Sequence, residues 1–290
     1  MLTSREIRVI HLEPTDVCQA RCSQCARETD LFFDAQHQHH LSVDDVRKLL
    51  PDSVIRKLHK MFMCGNYGDP AAGKHTLDLF RYFRNLQPNI TLGMNTNGGI
   101  GLTSWWRDLA QILNQDRDFV VFSIDGLADT NHLYRVNVDW SRLMKNATAF
   151  IDAGGSAHWD MLIYQHNQHQ VEQCINIARD LGFRWFRSKV TRRPLVGNLR
   201  LPDSAQADNS AATQIDCHAL NEKSIYIDAQ ARISPCCWLG SRQKSFVIDF
   251  DEIQRTWTTN TPDPVCKATC GRGQHGTKFQ QQWQQEIPLC

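Results

Sequence analysis

No apolar run in the sequence exceeds a few residues, so nothing in it approaches the roughly 20 consecutive apolar residues that a bilayer crossing requires. The opening stretch MLTSREIRVIHLE lacks the basic, apolar and small-residue zones of a secretory leader, and a cytoplasmic location is the expectation. Charge of one sign is missing too. With 32 Lys and Arg against 31 Asp and Glu, the net charge of +1 supplies no broad field to draw in nucleic acid, and no membrane partner is expected. There is no internal repeat and no low-complexity tract, although FQQQWQQ near the end is rich in glutamine. Cysteine, by contrast, is abundant. Eleven of them in a cytosolic chain are poorly explained by disulfides, because that compartment keeps thiols reduced, and clustered ones point to metal ligands or catalytic groups.

A chain of 290 residues fits two domains, or one barrel with an appendage. Strand-like runs are IRVIHL (7–12), KMFMCG (60–65), ITLGMN (90–95), FVVFSI (119–124), WDMLIY (159–164) and FRWFRSKV (183–190). Between them lie segments with helical spacing: VDDVRKLL after Ser42, HTLDLFRYFRNL, WWRDLAQILN, SRLMKNATAFIDA and QHQVEQCINIARDLG. Ser42 and the acids behind it suit a helix start, and Gly182 suits a stop. Alternation of this kind predicts a parallel, barrel-like α/β domain over 1–197, with ligands at the C-terminal strand ends and on the loops that follow. Residues 198–215 are polar, small and aperiodic, which reads as a linker or loop, and 216–290 holds six of the cysteines.

The stretch EPTDVCQARCSQCARE follows the first strand and carries Cys18, Cys22 and Cys25. At i, i+4 and i+7, a roughly helical coil would turn all three thiols to one side. The intervening Gln19, Ala20, Arg21, Ser23 and Gln24 make no core stripe, so buried structural cysteines are a poor explanation. Structural zinc would want a fourth ligand, for which His39 or His40 is available. Three thiolates instead suit a 4Fe-4S cluster with one iron left open, whereas a simple electron carrier fills all four positions.

At this point the sequence resembles the radical S-adenosylmethionine (SAM) enzymes, whose signature is three cysteines at this spacing on the loop after the first barrel strand. The resemblance implies a partial (β/α)6 TIM-like barrel and a 4Fe-4S cluster on Cys18, Cys22 and Cys25. It also implies reductive cleavage of SAM to a 5'-deoxyadenosyl radical that abstracts a substrate hydrogen, and an electron donor such as flavodoxin or ferredoxin. The family usually has an aromatic residue before the third cysteine, where this chain has Gln24, which predicts weaker packing beside the nucleoside. GNYGDP (65–70) is similar to the family's Gly-Gly-Glu-Pro motif, with Tyr67 and Asp69 as departures. MNTNGG (94–99) resembles its Thr-Asn-Gly segment, although alone it is simply a turn signal. In SIDGLADTNHLYR (123–135), Ser123 and Arg135 have the separation at which a serine meets the ribose and an arginine holds the carboxylate, a task suited to its planar donor fork. The implied SAM contacts are Asn66, Gly68, Asp69, Pro70, Asn97, Ser123, Asp125 and Arg135.

In the last segment, SIYID and ARISP read as two short strands joined by a turn, and DFDEIQRTW as a helix. Its cysteine spacing resembles the twitch domain, a shortened relative of the SPASM domain that holds one auxiliary iron-sulfur cluster on four cysteines. The implied set is Cys217, Cys236, Cys266 and Cys270, with Cys237 and Cys290 as alternates, and a tetrahedral zinc site is the other chemistry four cysteines satisfy. Related sequences usually place a glycine in the hairpin where this chain has Ala231, so a differently built turn is expected. Cys64 and Cys174 read as core. Trp159 and Trp185 are candidates for substrate contact if they face the barrel interior and are core residues otherwise; Arg187, Lys189, Arg192 and Arg193 would suit an anionic group or form a solvated face. HQHH (37–40) reads as an exposed loop. The substrate is a peptide or small molecule, and no residue stands out as catalytic acid or base. A non-enzymatic iron-sulfur or zinc protein that senses redox state or binds a partner is the competing class.

Overall fold

A computed structural model of the chain describes residues 6–30, 33–34, 36–191, 193–205, 214–240, 255–256, 258–273, 276–277 and 286–289. All six strand-like runs become strands: Val9–Leu12 (β1), Lys60–Met63 (β2), Thr91–Thr96 (β3), Phe119–Ser123 (β4), Ala157–Ile163 (β5) and Trp185–Val190 (β6). They pair in parallel in chain order. Helices Val43–Leu49, Thr76–Leu86, Thr103–Ile112, Trp140–Asp152 and Val171–Asp180 make the crossovers. The fold is therefore α/β with a mostly parallel sheet, consistent with a partial TIM-like barrel.

Local chemistry sets the helix ends. Ser42 accepts from the Asp45 amide at 3.2 Å and its own amide donates to the Asp45 carboxylate at 3.0 Å, a reciprocal capping box. Gly182 adopts φ +83, the left-handed conformation that ends a helix at little cost, with the Phe183 amide donating back to Ala178 O at 2.9 Å.

Strand alternation gives the sheet two faces. Ile10, Leu12, Met61, Met63, Leu92, Met94, Val120, Phe122, Met161 and Phe186 pack under the helices in one apolar core. Phe122 sits at its centre, with ring centroids of Trp106 at 5.3 Å and of Phe150 and Phe183 at 6.0 Å. Trp159 belongs to this core as well, packed on Phe183 and donating its indole N–H to Ile124 O at 2.9 Å, so it is not a substrate contact. The other face, lining the barrel interior, carries His11, Phe62, Val121, Asp160, Arg187 and Tyr226.

The expected hairpin is present as Ser224–Ile227 (β8) and Ile233–Ser234 (β9), numbered after Gln214–Ile215 (β7). Its place differs from that of a detached module. β8 runs parallel to β1, with Val9 beside Ser224 and Leu12 beside Ile227, because β1 would otherwise leave a row of ladder groups unpaired. After Gly271–Gly273 (β10) and Gly276–Thr277 (β11), strand Glu286–Pro288 (β12) pairs antiparallel with β6. Among the described residues the main sheet thus has the order β12-β6-β5-β4-β3-β2-β1-β8-β9. A separate three-stranded sheet, β11-β10-β7, lies with helix Pro264–Cys270. Most of the expected helix at 249–257, Arg192, Cys290 and the whole glutamine-rich tract lie outside the described residues. Among the described residues no helix is long and apolar enough to cross a membrane.

Ala231 takes φ +61, the conformation glycine favours, so the hairpin turn keeps the glycine geometry despite the side chain. Asp228 compensates by accepting from the amides of Gln230 at 3.0 Å and Arg232 at 2.9 Å and from the Arg232 guanidinium at 2.6 Å.

Candidate functional site

The loop after β1 is irregular rather than helical: Cys25 closes a turn onto Cys22, its amide donating to Cys22 O at 2.9 Å, and then caps the single turn Ala26–Thr29. The three thiols nevertheless converge on the C-terminal strand ends. The Cys18 Sγ accepts from the Asn97 side-chain amide at 3.5 Å, the Cys22 Sγ accepts from the Arg135 guanidinium at 3.9 Å, and the Cys25 thiol donates to Asn66 O at 3.6 Å. Each thiol therefore touches a residue from a different motif, after β3, β4 and β2 respectively. Burial pushes the Cys18 thiol up to about 12 and raises that of Cys22, for which the Arg135 cation partly compensates. His39 and His40 join no thiol. His39 bonds the Asp16 carboxylate through Nδ1 at 2.6 Å and His40 bonds the Thr15 hydroxyl at 3.0 Å, so half of the expected exposed HQHH loop is tied to the cysteine loop.

Close backbone approach shapes the GNYGDP turn. A Cβ on Gly68 would sit 1.9 Å from Thr15 O, and one on Gly65 2.0 Å from Gly68 O. Asp69 faces inward. Its carboxylate accepts from the Thr96 hydroxyl at 2.8 Å and from the amides of Asn97 at 2.7 Å and Ala71 at 2.9 Å, so it joins the β2 turn to the end of β3. Burial raises its pKa above the ordinary carboxyl value despite these donors. Pro70 starts the short 3-10 turn Pro70–Ala72.

The residue that holds this turn is Glu13, which the motif reading missed although it opens the cysteine loop. Its carboxylate accepts from the amides of Tyr67 at 2.7 Å and Gly68 at 3.0 Å and from the Tyr226 hydroxyl of β8. Burial lifts it to about 7, against the pull of those three donors. A buried carboxylate after a strand, followed by proline, was the available signal.

Asn97 accepts from Gln19 Nε2 at 2.7 Å. Arg135 is pinned by its Nε to the buried Asp125 carboxylate at 2.5 Å, and Asp125 also accepts from the Leu162 amide at 2.5 Å. Burial works against the Arg135 charge, but Asp125, Cys22 and Tyr134 together more than offset it. Ser123 lies half-buried at the end of β4. Asn66 turns its side chain away from these groups, donating to Cys237 O at 2.7 Å and to the Tyr226 hydroxyl at 3.4 Å.

Gln24, where an aromatic was expected, is buried and fully engaged. It accepts from the Tyr164 hydroxyl at 2.6 Å and the Thr191 hydroxyl at 3.1 Å, and donates to Pro194 O at 2.7 Å. It anchors the segment after β6, and the ring it meets is that of buried Tyr164, just past β5, with the Tyr134 ring centroid 5.1 Å away. No spacing rule could link Gln24 to Tyr164 from sequence.

A second thiol group lies in the C-terminal segment. Cys217, Cys236, Cys266 and Cys270 line one narrow, mostly apolar cavity with Ile215, Leu239 and Val265. Helix Pro264–Cys270, capped by Asp263 at 2.7 Å from the Val265 amide, carries two of them; the Asp216 amide bonds Cys270 O at 2.8 Å and brings Cys217 alongside. Burial pushes Cys236 and Cys266 up to about 12. Cys237 does not line this cavity; it lies toward Cys64 and Glu13. Cys64, just past β2, is outside the apolar core, whereas Cys174 is in it. Among the described residues no cysteine forms a disulfide, and no three His, Cys, Asp or Glu side chains stand close enough to share one metal ion.

Inside the barrel, Asp160 takes two bonds from buried Arg187, at 2.7 and 2.6 Å, and one from Lys189 Nζ at 2.7 Å. Despite burial, Lys189 and Arg187 hold its carboxyl below the usual range. Lys189, at the C-terminal end of β6, keeps 23% of its side chain exposed, while Trp185 stands at the opposite end of that strand beside His158. Arg193 donates to Gln24 O at 2.6 Å.

Comparison with protein families matches residues 12–178, more than half of the chain, to the radical SAM superfamily. No curated protein matches the sequence. Among solved structures, Streptococcus suis SuiB bound to S-adenosylmethionine is similar at a TM-score of 0.59 and 14% identity, over 89% of this chain and 66% of SuiB. SuiB bound to its precursor peptide SuiA gives 0.58 and 15%. The native anSMEcpe with bound AdoMet and Cp18Cys peptide gives 0.56 and 14%, over 79% of this chain and 73% of the other. The chain thus spans slightly less than two thirds of SuiB, and at these identities the likeness establishes the fold.

Proposed function

Since the chain belongs to the radical SAM superfamily of enzymes, with the 4Fe-4S cluster and SAM which that membership implies, we propose that Cys18, Cys22 and Cys25 are its cluster ligands. We assign hydrogen abstraction from a peptide or small molecule as its reaction, leading to oxidation, epimerisation or cross-linking. The observation that carries this is the contact of each thiol with a different strand-end residue, Asn97, Arg135 or Asn66. When bound, the cluster supplies the electron for reductive cleavage of SAM, drawn from a donor such as flavodoxin or ferredoxin.

The chain's own residues supply placement. Glu13 and Asp69 fix the GNYGDP turn so that its backbone borders the cysteine loop, and Asn97 and Arg135 touch the thiols where SAM would be held, with Ser123 at the end of β4 assigned to it as well. Arg135, oriented by Asp125, is suited to a carboxylate. Gln24 and Tyr164 close the side below β6 and help exclude water.

For the substrate, a peptide is favoured by the peptides seated in SuiB and anSMEcpe. Lys189, aimed into the barrel mouth and only partly neutralised by Asp160, suits an anionic group on it. Residues 1–197 are assigned to the barrel and 216–290 to a twitch-like segment in which Cys217, Cys236, Cys266 and Cys270 hold an auxiliary cluster. The resemblance of the cysteine spacing to the twitch domain favours iron-sulfur over a single zinc ion. A cytoplasmic location follows from that oxygen-sensitive chemistry.

The experiment is anaerobic reconstitution with iron and sulfide counts, followed by dithionite and SAM. About eight irons per chain, four for each cluster, with 5'-deoxyadenosine formed, is the expected result. Iron or zinc without cleavage would support the redox-sensing or binding protein instead.

A further inference from the structure

The two cysteine groups meet at one residue. Asn66 offers its backbone carbonyl to the Cys25 thiol at 3.6 Å, while its side-chain amide donates to Cys237 O at 2.7 Å and to the Tyr226 hydroxyl at 3.4 Å. Cys237 directly follows Cys236, a wall of the C-terminal cavity. The turn they share is closed by the Gly240 amide on Cys236 O at 2.9 Å, so the Cys237 carbonyl and the Cys236 thiol belong to one short, hydrogen-bonded unit. On the barrel side, Asn66 lies between Gly65 and Tyr67, and the Tyr67 amide is held by Glu13 at 2.7 Å. The carbonyl that faces Cys25 is therefore aimed by an anchor in the C-terminal segment.

We propose that Asn66 is a positioning residue coupling the two sites, so that occupancy of the C-terminal cysteines sets the surroundings of Cys25; this rests on reading both cysteine groups as cluster sites. The physical consequence has a sign. On ligation Cys25 gives up the thiol proton that bonds this carbonyl, and an oxygen then held beside the sulfur directs its lone pairs at the added electron density and disfavours reduction, since bonds and dipoles at the sulfurs tune cluster potentials. Releasing the Asn66 side chain lets that carbonyl swing away and raises the midpoint potential of the first cluster.

The test is a double-mutant cycle on the full chain, reconstituted anaerobically and read by electron paramagnetic resonance during a reductive titration. Its corners are the unaltered protein, Asn66→Ala, the fourfold Cys217→Ala, Cys236→Ala, Cys266→Ala, Cys270→Ala variant, and the combination. The expected result is an upward shift of the first-cluster midpoint in Asn66→Ala and in the fourfold variant, with no further shift when they are combined. Asn66→Gln, which keeps the amide donor, should restore most of the original value. Equal shifts of the fourfold change in both backgrounds, or no shift in either, would overturn the coupling. Should the fourfold variant fail to fold, Asn66→Ala alone decides: a changed auxiliary-cluster signal supports the bridge, and an unchanged one refutes it. An iron count showing the first site empty in the unaltered protein identifies failure of the cluster reading itself, and the coupling falls with it.

Discussion

Glu13 makes the stability of the metal-free chain depend on pH in an unusual direction. Its carboxyl is lifted by burial to about 7 from an ordinary 4.5. Between those values the folded state keeps a proton that the unfolded state has lost, so stability falls as pH rises through this window and levels off above it. The difference between about 7 and 4.5, at about 1.4 kcal/mol per pH unit, amounts to about 3 kcal/mol. Glu13→Gln keeps a carbonyl for the Tyr67 and Gly68 amides but cannot titrate. Urea unfolding of both metal-free proteins, without oxygen and with thiols reduced, isolates the effect as their stability difference at each pH. The unaltered protein should lose about 3 kcal/mol relative to the variant between pH 4.5 and 7.5. A flat difference across that range would show that Glu13 titrates as an exposed carboxyl. An opposite slope would show that its three donors outweigh burial and hold it ionised.

Arg135→Ala should weaken SAM binding by tenfold or more, as loss of a charge-assisted hydrogen bond of about 1.5–3 kcal/mol requires; unchanged affinity in calorimetry would remove Arg135 from the site. Cys236→Ala should cost the auxiliary share of the iron while Cys237→Ala keeps it, because only Cys236 lines the C-terminal cavity; the reverse pattern in iron analysis would exchange their roles. Ala231→Gly should stabilise the chain by about 0.5–1 kcal/mol, the relief of a left-handed alanine (about 1–2 kcal/mol) less the added freedom of the unfolded chain. A destabilised variant in thermal melts would mean that the turn is not strained.

The barrel was readable because its strands are bounded apolar runs separated by helices of matching period, and because Ser42 and Gly182 mark their helix ends chemically. The spacing marked three thiols on the loop after β1, although the local coil differs: irregular backbone, rather than a helix, carries them to the strand ends. What escaped sequence reading depends on contacts between distant residues. Glu13 gains its role from Tyr226, Gln24 from Tyr164, and Asn66 from Cys237, and none of these pairs follows from any periodicity. The hairpin at 224–234 was readable as a hairpin, but its attachment to β1 was not, because ladder pairing between far-apart strands leaves no local trace. Trp159 shows the limit of alternation alone. Its face is decided by whether Asp160 or its neighbours point into the barrel, which the buried ion pair with Arg187 settles.

The attachment of β8 to β1 also bears on how the protein is made. Val9 pairs with Ser224, 215 positions later in the sequence, so the first strand waits for all of that intervening chain before its second neighbour arrives. Closing so long a loop is slow. Until then Glu13 lacks Tyr226 and Asn66 lacks Cys237, which leaves the cysteine loop without its supports during translation. With Cys18, Cys22 and Cys25 as iron ligands, as proposed, nascent chains stalled before β8 should incorporate little iron.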